Sequence, residues 1–413
     1  MRILCVLGKW AYGNADRGEG YEYSNIMPAF RNLGHEVLFL ENWNANNYGN
    51  FNNLNKNLLR IVEEKRPDFV FSALIHYEIW LETLEIIRDS GIAAMVNWAT
   101  DDSWKYYQFS RFIANAFHAF TTTDAKAIQK YQHDRIYQVL LTQWAANSNN
   151  LRKPLRGAEC KYPVSFVGSA YGKRGKWIEE LRKRGIDVEC FGHGWRNGPI
   201  NAGKIPEIMR NSVISLNFSS SYRYLERIRR LQKNQIKARV FEVPGNGGFL
   251  LTENADGIEQ YYVPDREIVI FKGVDECAEK INYYLNNQAE RNLIALAGYE
   301  RTKKDHTYDQ RLAEVIKFTI EQKEKYFVFR GVKKSGQIDW HKFESAAKRH
   351  VMDRKLLVLK NIMTSFCSMI LGPVRGPRAA RRLLFEISWR FVGAYTYSAA
   401  GWPGRCFDGI KRR

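Results

Sequence analysis

The sequence predicts an α/β protein with two doubly wound, parallel-sheet halves and a basic, mainly helical C-terminal extension. Three observations lead there. Short unbroken apolar runs alternate with amphipathic stretches through the first 140 or so residues. The same alternation restarts after residue 161, and the surplus of positive charge gathers in the last ninety or so residues. Apolar strands without in–out alternation belong to parallel sheets covered on both faces. A chain of 413 residues is long enough for two cores of this kind.

In the first half, strands are expected at residues 3–7, 36–40, 68–74, 93–98 and 118–122. Helices are expected at 21–33, stopped by Gly34, and at 54–64, 78–88, 104–115 and 125–131. The asparagine-rich stretch 42–57 reads as a loop. Residues 143–161 lose periodicity and gain Asn, Ser, Lys and Gly, as an interdomain linker does. Beyond it, strands are expected at 163–167, 187–191, 213–217, 249–252 and 268–271, with helices at 176–184, 205–210, 232–243, 274–285 and 288–303. This divides the chain into a first Rossmann-like domain over 1–145, a second over 160–320, and the extension over 321–413. In such sheets ligands bind beyond the carboxyl ends of the strands, so a cleft between two facing domains is the expected site.

Composition is that of an ordinary globular chain, 45% hydrophobic and 26% charged. Six scattered cysteines without a C-x-x-C pair read as free thiols in a reducing cytoplasm. Neither they nor the eight histidines show zinc spacing, so no metal site is expected. The opening run is too short for a signal peptide and reads as a buried strand. Of the net charge of +19, residues 321–413 carry +13, from 20 Lys and Arg against 7 Asp and Glu. The basicity therefore says little about catalysis.

The most informative stretch is 237–252, where a helix, a glycine turn and a buried strand follow one another. Arg239 and Glu242 share a helical face, with Lys237 just ahead of them. Pro244 stops the helix, and Gly245, Gly247 and Gly248 permit a tight return. A cation pair can hold a diphosphate, and a nearby carboxylate can accept hydrogen bonds from a ribose diol. The bland alternative is an αβ unit ending in Pro-Gly with solvated cations. At 167–174 a strand runs into a small-residue turn and two cations, an arrangement that can present N–H groups to a phosphate. Just past another strand end lie Asp101 and Asp102, either a general base for an acceptor hydroxyl or helix N-cap residues. The glycine-rich loop 8–20 leads into Glu22, which either touches a ligand or complements a helix dipole.

These segments resemble the CgeB-like (spore-maturation-protein-like) glycosyltransferases, a branch of the group-1 glycosyltransferases with the GT-B fold. The resemblance rests on R-x-F-E-x-x-x-x-G-G-F-L-L-T over 239–252, on the opening F-V-G-S-x-Y-x-x-R over 166–174, on G-x-G-W over 192–195, on a W-x-x-D-D-like element at 98–102 and on H-T-Y-x-x-R-L over 306–312. It covers roughly residues 1–320. It implies transfer of a sugar from a nucleoside-diphosphate donor to a hydroxyl acceptor, with no cofactor beyond that donor. Gly168, Ser169 and Arg174 would face the donor phosphates, together with Lys237, Arg239, Gly247 and Gly248. His193 would stack on the base or sugar, or have no role. Glu242 would contact the ribose. In the related E-x7-E signature the first glutamate touches the transferred sugar; here that position is Asn234, which leaves sugar and stereochemistry open. The 306–312 element would close the domain pair. No D-x-D triplet occurs, so the resemblance implies charge neutralisation by Arg and Lys without a metal.

In the extension, Leu356, Leu359, Met363, Phe366 and Ile370 form one helical stripe that ends at Gly372-Pro373. A second stripe, Leu383, Leu384, Ile387, Phe391 and Tyr395, is flanked by Arg378, Arg381, Arg382 and Arg390. Neither is expected to reach the roughly 18 uncharged apolar residues of a membrane span. Both fit basic amphipathic helices on an anionic bilayer, or else a packing or oligomer interface. The expectation is thus a cytoplasmic bacterial enzyme, peripheral at the inner face of the cell membrane, acting on a surface-glycan or lipid-linked acceptor. The alternatives are a non-catalytic scaffold of the same fold at a membrane or coat, and a basic nucleic-acid-binding protein. No recognition motif accompanies the charge, so no nucleic-acid partner is expected.

Overall fold

The computed structural model describes residues 1–220, 234–331 and 334–408, apart from the side chain of Tyr12. The chain forms two compact units. The first takes Met1–Tyr23, Leu33–Thr142 and Ala313–Arg413; the second takes Ser24–Asn32 and Gln143–Leu312.

The first unit is built on six parallel strands: β1 (Arg2–Leu7), β2 (Glu36–Glu41), β3 (Phe69–Ser72), β4 (Ala94–Trp98), β5 (Ala119–Thr122) and β6 (Val139–Leu141). They lie in the order β2-β1-β3-β4-β5-β6. Strand β1 is central, and Ile3 to Leu7 are all buried, which is why the run is apolar without alternation. The winding reverses between β1 and β3. Such a switch point leaves a crevice at the carboxyl ends of the strands, bordered here by the loops that follow β1 and β3. The loop after β1 is tied down by an antiparallel bridge between Trp10 and Glu19. A Cβ on Gly8 would meet the Trp43 ring at 2.4 Å, so only glycine fits there.

Two local expectations shift. The helix read as starting at 54 spans Phe51–Lys65, because the side chain of Asn50 accepts from Asn53 N and caps it three residues earlier. The helix expected over 104–115 is broken into Asp102–Lys105, a π turn over Tyr106–Ser110 and Arg111–Ile113. Propensity does not reveal a π turn, whose residues are anchored from elsewhere: the Tyr106 hydroxyl donates to Asp134 and to the Lys130 carbonyl, and Ser110 donates to Asp102.

The second unit has five parallel strands: β7 (Tyr162–Val167), β8 (Glu189–Phe191), β9 (Ser212–Asn217), β10 (Leu250–Glu253) and β11 (Val269–Phe271). Their order is β11-β10-β9-β7-β8. The switch point lies between β7 and β9. Arg291 is wholly buried and donates to the carbonyls of Ser212, Val213 and Leu155, pinning the linker to this sheet. The helix expected over 232–243 is shorter. It runs Arg239–Gly245, and the described residues 234–238 ahead of it are not helical; residues 232–233 lie outside the described residues. Lys237 therefore precedes the helix rather than riding on it.

The extension belongs to the first unit's core. Ile338, Phe343, Ala346, Phe385, Tyr397 and Ala399 pack into the same cluster as Leu4, Val70 and Met95. Trp80 stacks on Phe343 with ring centroids 6.0 Å apart, whereas of the two stripes read from the sequence Leu356, Met363 and Leu384 bury in a separate small cluster and Leu359, Phe366, Ile370, Leu383, Phe391 and Tyr395 stay exposed.

Helical turns run from Arg354 to Val392, but Gly372 (φ 80°, ψ 167°) breaks them, as the Gly-Pro pair predicts. The chain folds back there. Gly376 lies so close to Ser368 that an added Cβ would stand 2.3 Å from the Ser368 Cα. The inner faces of this hairpin close over Leu356, Met363, Cys367, Ala380 and Leu384. The outer face of its first arm is apolar and exposed: Ile362 62%, Met369 78%, Ile370 60%. One expectation is corrected here. An 18-residue window in Arg354–Tyr397 has mean hydropathy 1.5 with at most two charged residues, so by length and composition it could cross a membrane; only 11% of that window is buried. The stripe reading undercounted it because residues between the stripe positions, such as Val358 and Ile362, are apolar as well.

A Gly376→Val substitution is expected to pry the arms apart, lowering stability by about 1–3 kcal/mol as overpacking does. Thermal unfolding of the two proteins side by side checks this, and an unchanged midpoint would contradict the close approach.

Candidate functional site

In the second unit, the cationic and acidic residues singled out at 167–174 and 237–242 come together at the strand ends. Arg239 opens its helix and pairs with Glu242 one turn on. Its Nε also donates to the Val167 carbonyl at the end of β7, at 3.3 Å. Both side chains point inward, 23% and 11% exposed. Lys237 and Asn234 are half-buried beside them in sequence.

Around the turn after β7, Arg174 is buried and donates to the carbonyls of Ser169 (3.0 Å) and Phe218 (3.3 Å), with its guanidinium 3.9 Å from the Tyr171 ring centroid. It braces the turn. Its Nε has no hydrogen-bond partner. Gly168 admits no side chain, since an added Cβ would meet the Phe166 ring at 2.8 Å. Trp195 Nε1 donates to the Gly168 carbonyl at 2.6 Å, and Ala170 N donates to the His193 carbonyl at 2.8 Å. The turns at 168–171 and 192–195 are thereby stitched together, and the His193 ring is left exposed. Ser169 is half-buried in the same turn.

One centre was missed by the sequence reading. Glu253, 1% exposed at the end of β10, receives Lys173 Nζ (2.6 Å), Asn234 Nδ2 (3.0 Å) and Ser219 N (3.0 Å). A carboxylate at the last position of a buried strand was the available signal. Asn234 thus stands where it ties its loop to β10, with a second bond to the Asn254 carbonyl at 2.7 Å.

Gly247 and Gly248 lie past the far end of the helix from Arg239. Gly247 has φ 83°, and a Cβ would stand 2.5 Å from the Arg152 carbonyl oxygen; at Gly248 it would meet that of Met209 at 2.7 Å. The structure packs both glycines closely against neighbouring backbone. His306, also buried, donates from Nε2 to the Tyr261 carbonyl (2.8 Å) and packs on Phe241, which holds the Arg239 helix from behind.

In the first unit, the adjacent carboxylates separate. Asp102 is 1% exposed and accepts from Ser110 Oγ (2.5 Å) and Tyr131 Oη (2.7 Å). Burial raises its pKa against the pull of these donors. Asp102 is therefore a locked internal carboxylate and not an accessible base, which corrects the expectation. Asp101 is half-exposed, and its side chain does not cap the following helix. Glu22, in the first turn of the helix Tyr21–Asn32, is half-buried. Burial pushes its pKa up to about 7, against a bond from its own N–H, and the charge of Asp101 adds to the rise.

A carboxylate poised near neutrality suits proton transfer. If Glu22 accepts a proton during turnover, the rate is expected to climb tenfold per pH unit below about 7 and to level off above it, as the carboxyl ionises. A pH profile of kcat/KM checks this. Glu22→Gln should lose at least about 100-fold and flatten that limb, and an unchanged profile in the variant would remove Glu22 from the chemistry.

Residues 173–317 match a family model described as glycosyl transferase-like. No curated protein matches the chain. Among solved structures, the chain is similar to HepE of Anabaena in complex with UDP and glucose (12% identity, 77% of this chain and 99% of that one, TM-score 0.52). It is similar also to the sucrose-phosphate synthase of Thermosynechococcus elongatus (9% identity, 80% and 100%, TM-score 0.52). AviGT4, a glycosyltransferase involved in avilamycin A biosynthesis, is a third (11%, 78% and 98%, TM-score 0.51). The fold is GT-B-like. The matched family segment takes in Lys173, Arg174, Arg239, Glu242 and Glu253.

Proposed function

We propose that this protein is a nucleotide-sugar-dependent glycosyltransferase of the CgeB-like branch. The observation that carries the reading is the glycosyl transferase-like match over 173–317, which coincides with the inward-turned Arg239–Glu242 pair at the carboxyl end of β7. The donor's bond between anomeric carbon and diphosphate oxygen breaks, and the diphosphate departs with the electron pair. The acceptor hydroxyl oxygen bonds to that carbon, and its proton passes to Glu22 or Asp101. Charge grows on the diphosphate as it leaves, and Arg239 and Lys237 oppose it without a metal. Glu242 receives the ribose hydroxyls, while Arg174 and Glu253 hold the loops in place. The UDP in the HepE complex makes uridine donors the first to test.

The second element of the proposal is the hairpin after Arg354. Its exposed apolar arm beside Arg375, Arg378 and Arg382 matches an anionic bilayer surface in both apolarity and charge. Such an enzyme would serve surface-glycan or lipid-linked glycan synthesis.

Thermal-shift measurements against a panel of nucleotide sugars, followed by assay of nucleoside-diphosphate release, test the donor reading. Binding of at least one donor and slow release support it. A chain that binds no nucleotide would be a scaffold of the same fold.

A further inference from the structure

The arginines of the extension do more than colour its surface. A pocket of about 320 Å³ lies in the first unit over the loops that follow β3 and β4, and its far wall is the second arm of the hairpin. Lys105, Arg378, Arg381 and Arg382 all line it, with Trp104 and Phe385 as apolar walls. Arg378 also lines a second pocket, of about 560 Å³, over the loops that follow β1 and β2. Both pockets therefore sit over the carboxyl ends of the same sheet, where a ligand is expected.

The charges in the smaller pocket are unbalanced. Lys105 is 5% exposed, yet among the described residues its ammonium donates to one acceptor, the Ile75 carbonyl at 2.9 Å. Burial draws its pKa down to about 8; Asp101 and Glu386 pull it back up and Arg382 lowers it further. Among the described residues, none of Arg378, Arg381 and Arg382 is ion-paired. Glu386 reaches the pocket but is engaged by Arg390 and by Trp389 Nε1 at 3.1 Å, and Glu78 is the other acid on its wall. Gathering four cations, one of them buried with two of its three N–H donors unused, is costly unless an anion completes the set. A planar guanidinium fork suits phosphate oxygens, and an ammonium adds a point charge. Asp101 acts electrostatically on both Lys105 and Glu22, so this anion site adjoins the carboxylates assigned to proton transfer.

We propose that the Lys105–Arg378–Arg381–Arg382 pocket binds a phosphate group of the acceptor, so that the sugar is transferred to a phosphorylated molecule held beside Glu22 and Asp101. The proposal rests on the transferase reading for the word acceptor, but the phosphate site stands or falls separately. The apolar walls and the neighbouring apolar hairpin face suit a phosphate carried on a prenyl or other lipid chain; a sugar phosphate offers the same head group.

The test is equilibrium binding of geranyl phosphate, glucose 1-phosphate and geraniol to the full chain at fixed salt, with UDP binding measured in parallel. The proteins are wild type, Lys105→Met and the double variant Arg381→Glu/Arg382→Glu, whose partly exposed positions tolerate the change. Geranyl phosphate is expected to bind wild type and to lose at least about tenfold in affinity in both variants, while geraniol does not bind and UDP affinity is unchanged. Equal binding of glucose 1-phosphate would keep the site and assign it to a soluble phosphorylated acceptor. Equal affinity of geranyl phosphate for wild type and the double variant, or no phosphate binding by wild type, overturns the proposal. Loss of UDP binding by wild type would sink the transferase reading and leave the phosphate site untouched.

Discussion

Arg239→Ala is expected to abolish most donor turnover, cutting kcat/KM by about 100-fold or more. The guanidinium stands at the end of β7, one helical turn from the carboxylate assigned to the ribose. Its removal has two effects of the same sign. The leaving diphosphate loses a fixed positive charge at the moment its own charge grows, and that loss appears in kcat. The Glu242 carboxylate, largely buried, loses its ion-pair partner, and an unpaired buried carboxylate both repels a diphosphate and costs stability. Arg239→Lys keeps the charge but loses the fork, so it should recover only part of the activity. Glu242→Gln, by contrast, keeps the cation at the end of β7 and should raise KM more than it lowers kcat. Steady-state kinetics on the three variants, with unfolding midpoints to correct for stability, separates these effects. Wild-type kinetics in Arg239→Ala would mean that the pair is only a helix brace.

The second large effect is expected at the hairpin. Phe366→Asp/Ile370→Asp places two charges on the exposed face of its first arm, where both native side chains are more than half exposed. Each apolar side chain of this size contributes about 1.5–3 kcal/mol when withdrawn from water. Losing both should therefore weaken binding to phosphatidylglycerol-containing vesicles by about 100-fold or more, with the fold intact. Co-sedimentation measures this, and circular dichroism verifies the fold. Binding that vanishes when neutral phosphatidylcholine replaces the anionic lipid would confirm the contribution of the arginines. If wild type ignores vesicles and the double variant turns a dimer into a monomer, the face is covered by a second copy and the membrane assignment is wrong.

Most of the strands were legible in advance because a parallel, doubly covered sheet leaves a local signature: an unbroken apolar run such as Ile3 to Leu7 has no other place to go. Helix starts were less legible. Asn50 lies in an asparagine-rich stretch whose composition reads as loop, and nothing local singles out its side chain as the cap of a long helix. The Arg239–Glu242 pair could be named because both partners lie within one turn of one helix. Asp102 could not be told from Asp101 by position. What separates them is a hydroxyl from Ser110, eight residues on, and one from Tyr131 on another helix. Glu253 and Lys105 went unnoticed for the same reason, since their partners come from distant segments.

By itself, then, the sequence determined the two-sheet architecture, the cationic helix with its carboxylate, and an extension whose charge and apolarity demand a partner. These are properties of periodicity and of neighbours within a turn, and local chemistry suffices for them. Only the tertiary structure decided which carboxylates are sealed and which stay open, how closely the glycines approach neighbouring backbone, and that the extension folds back at Gly372 to set Arg378, Arg381 and Arg382 over the first sheet. Burial and charge balance depend on what other parts of the chain bring to the same place, and no stretch of sequence carries that information alone.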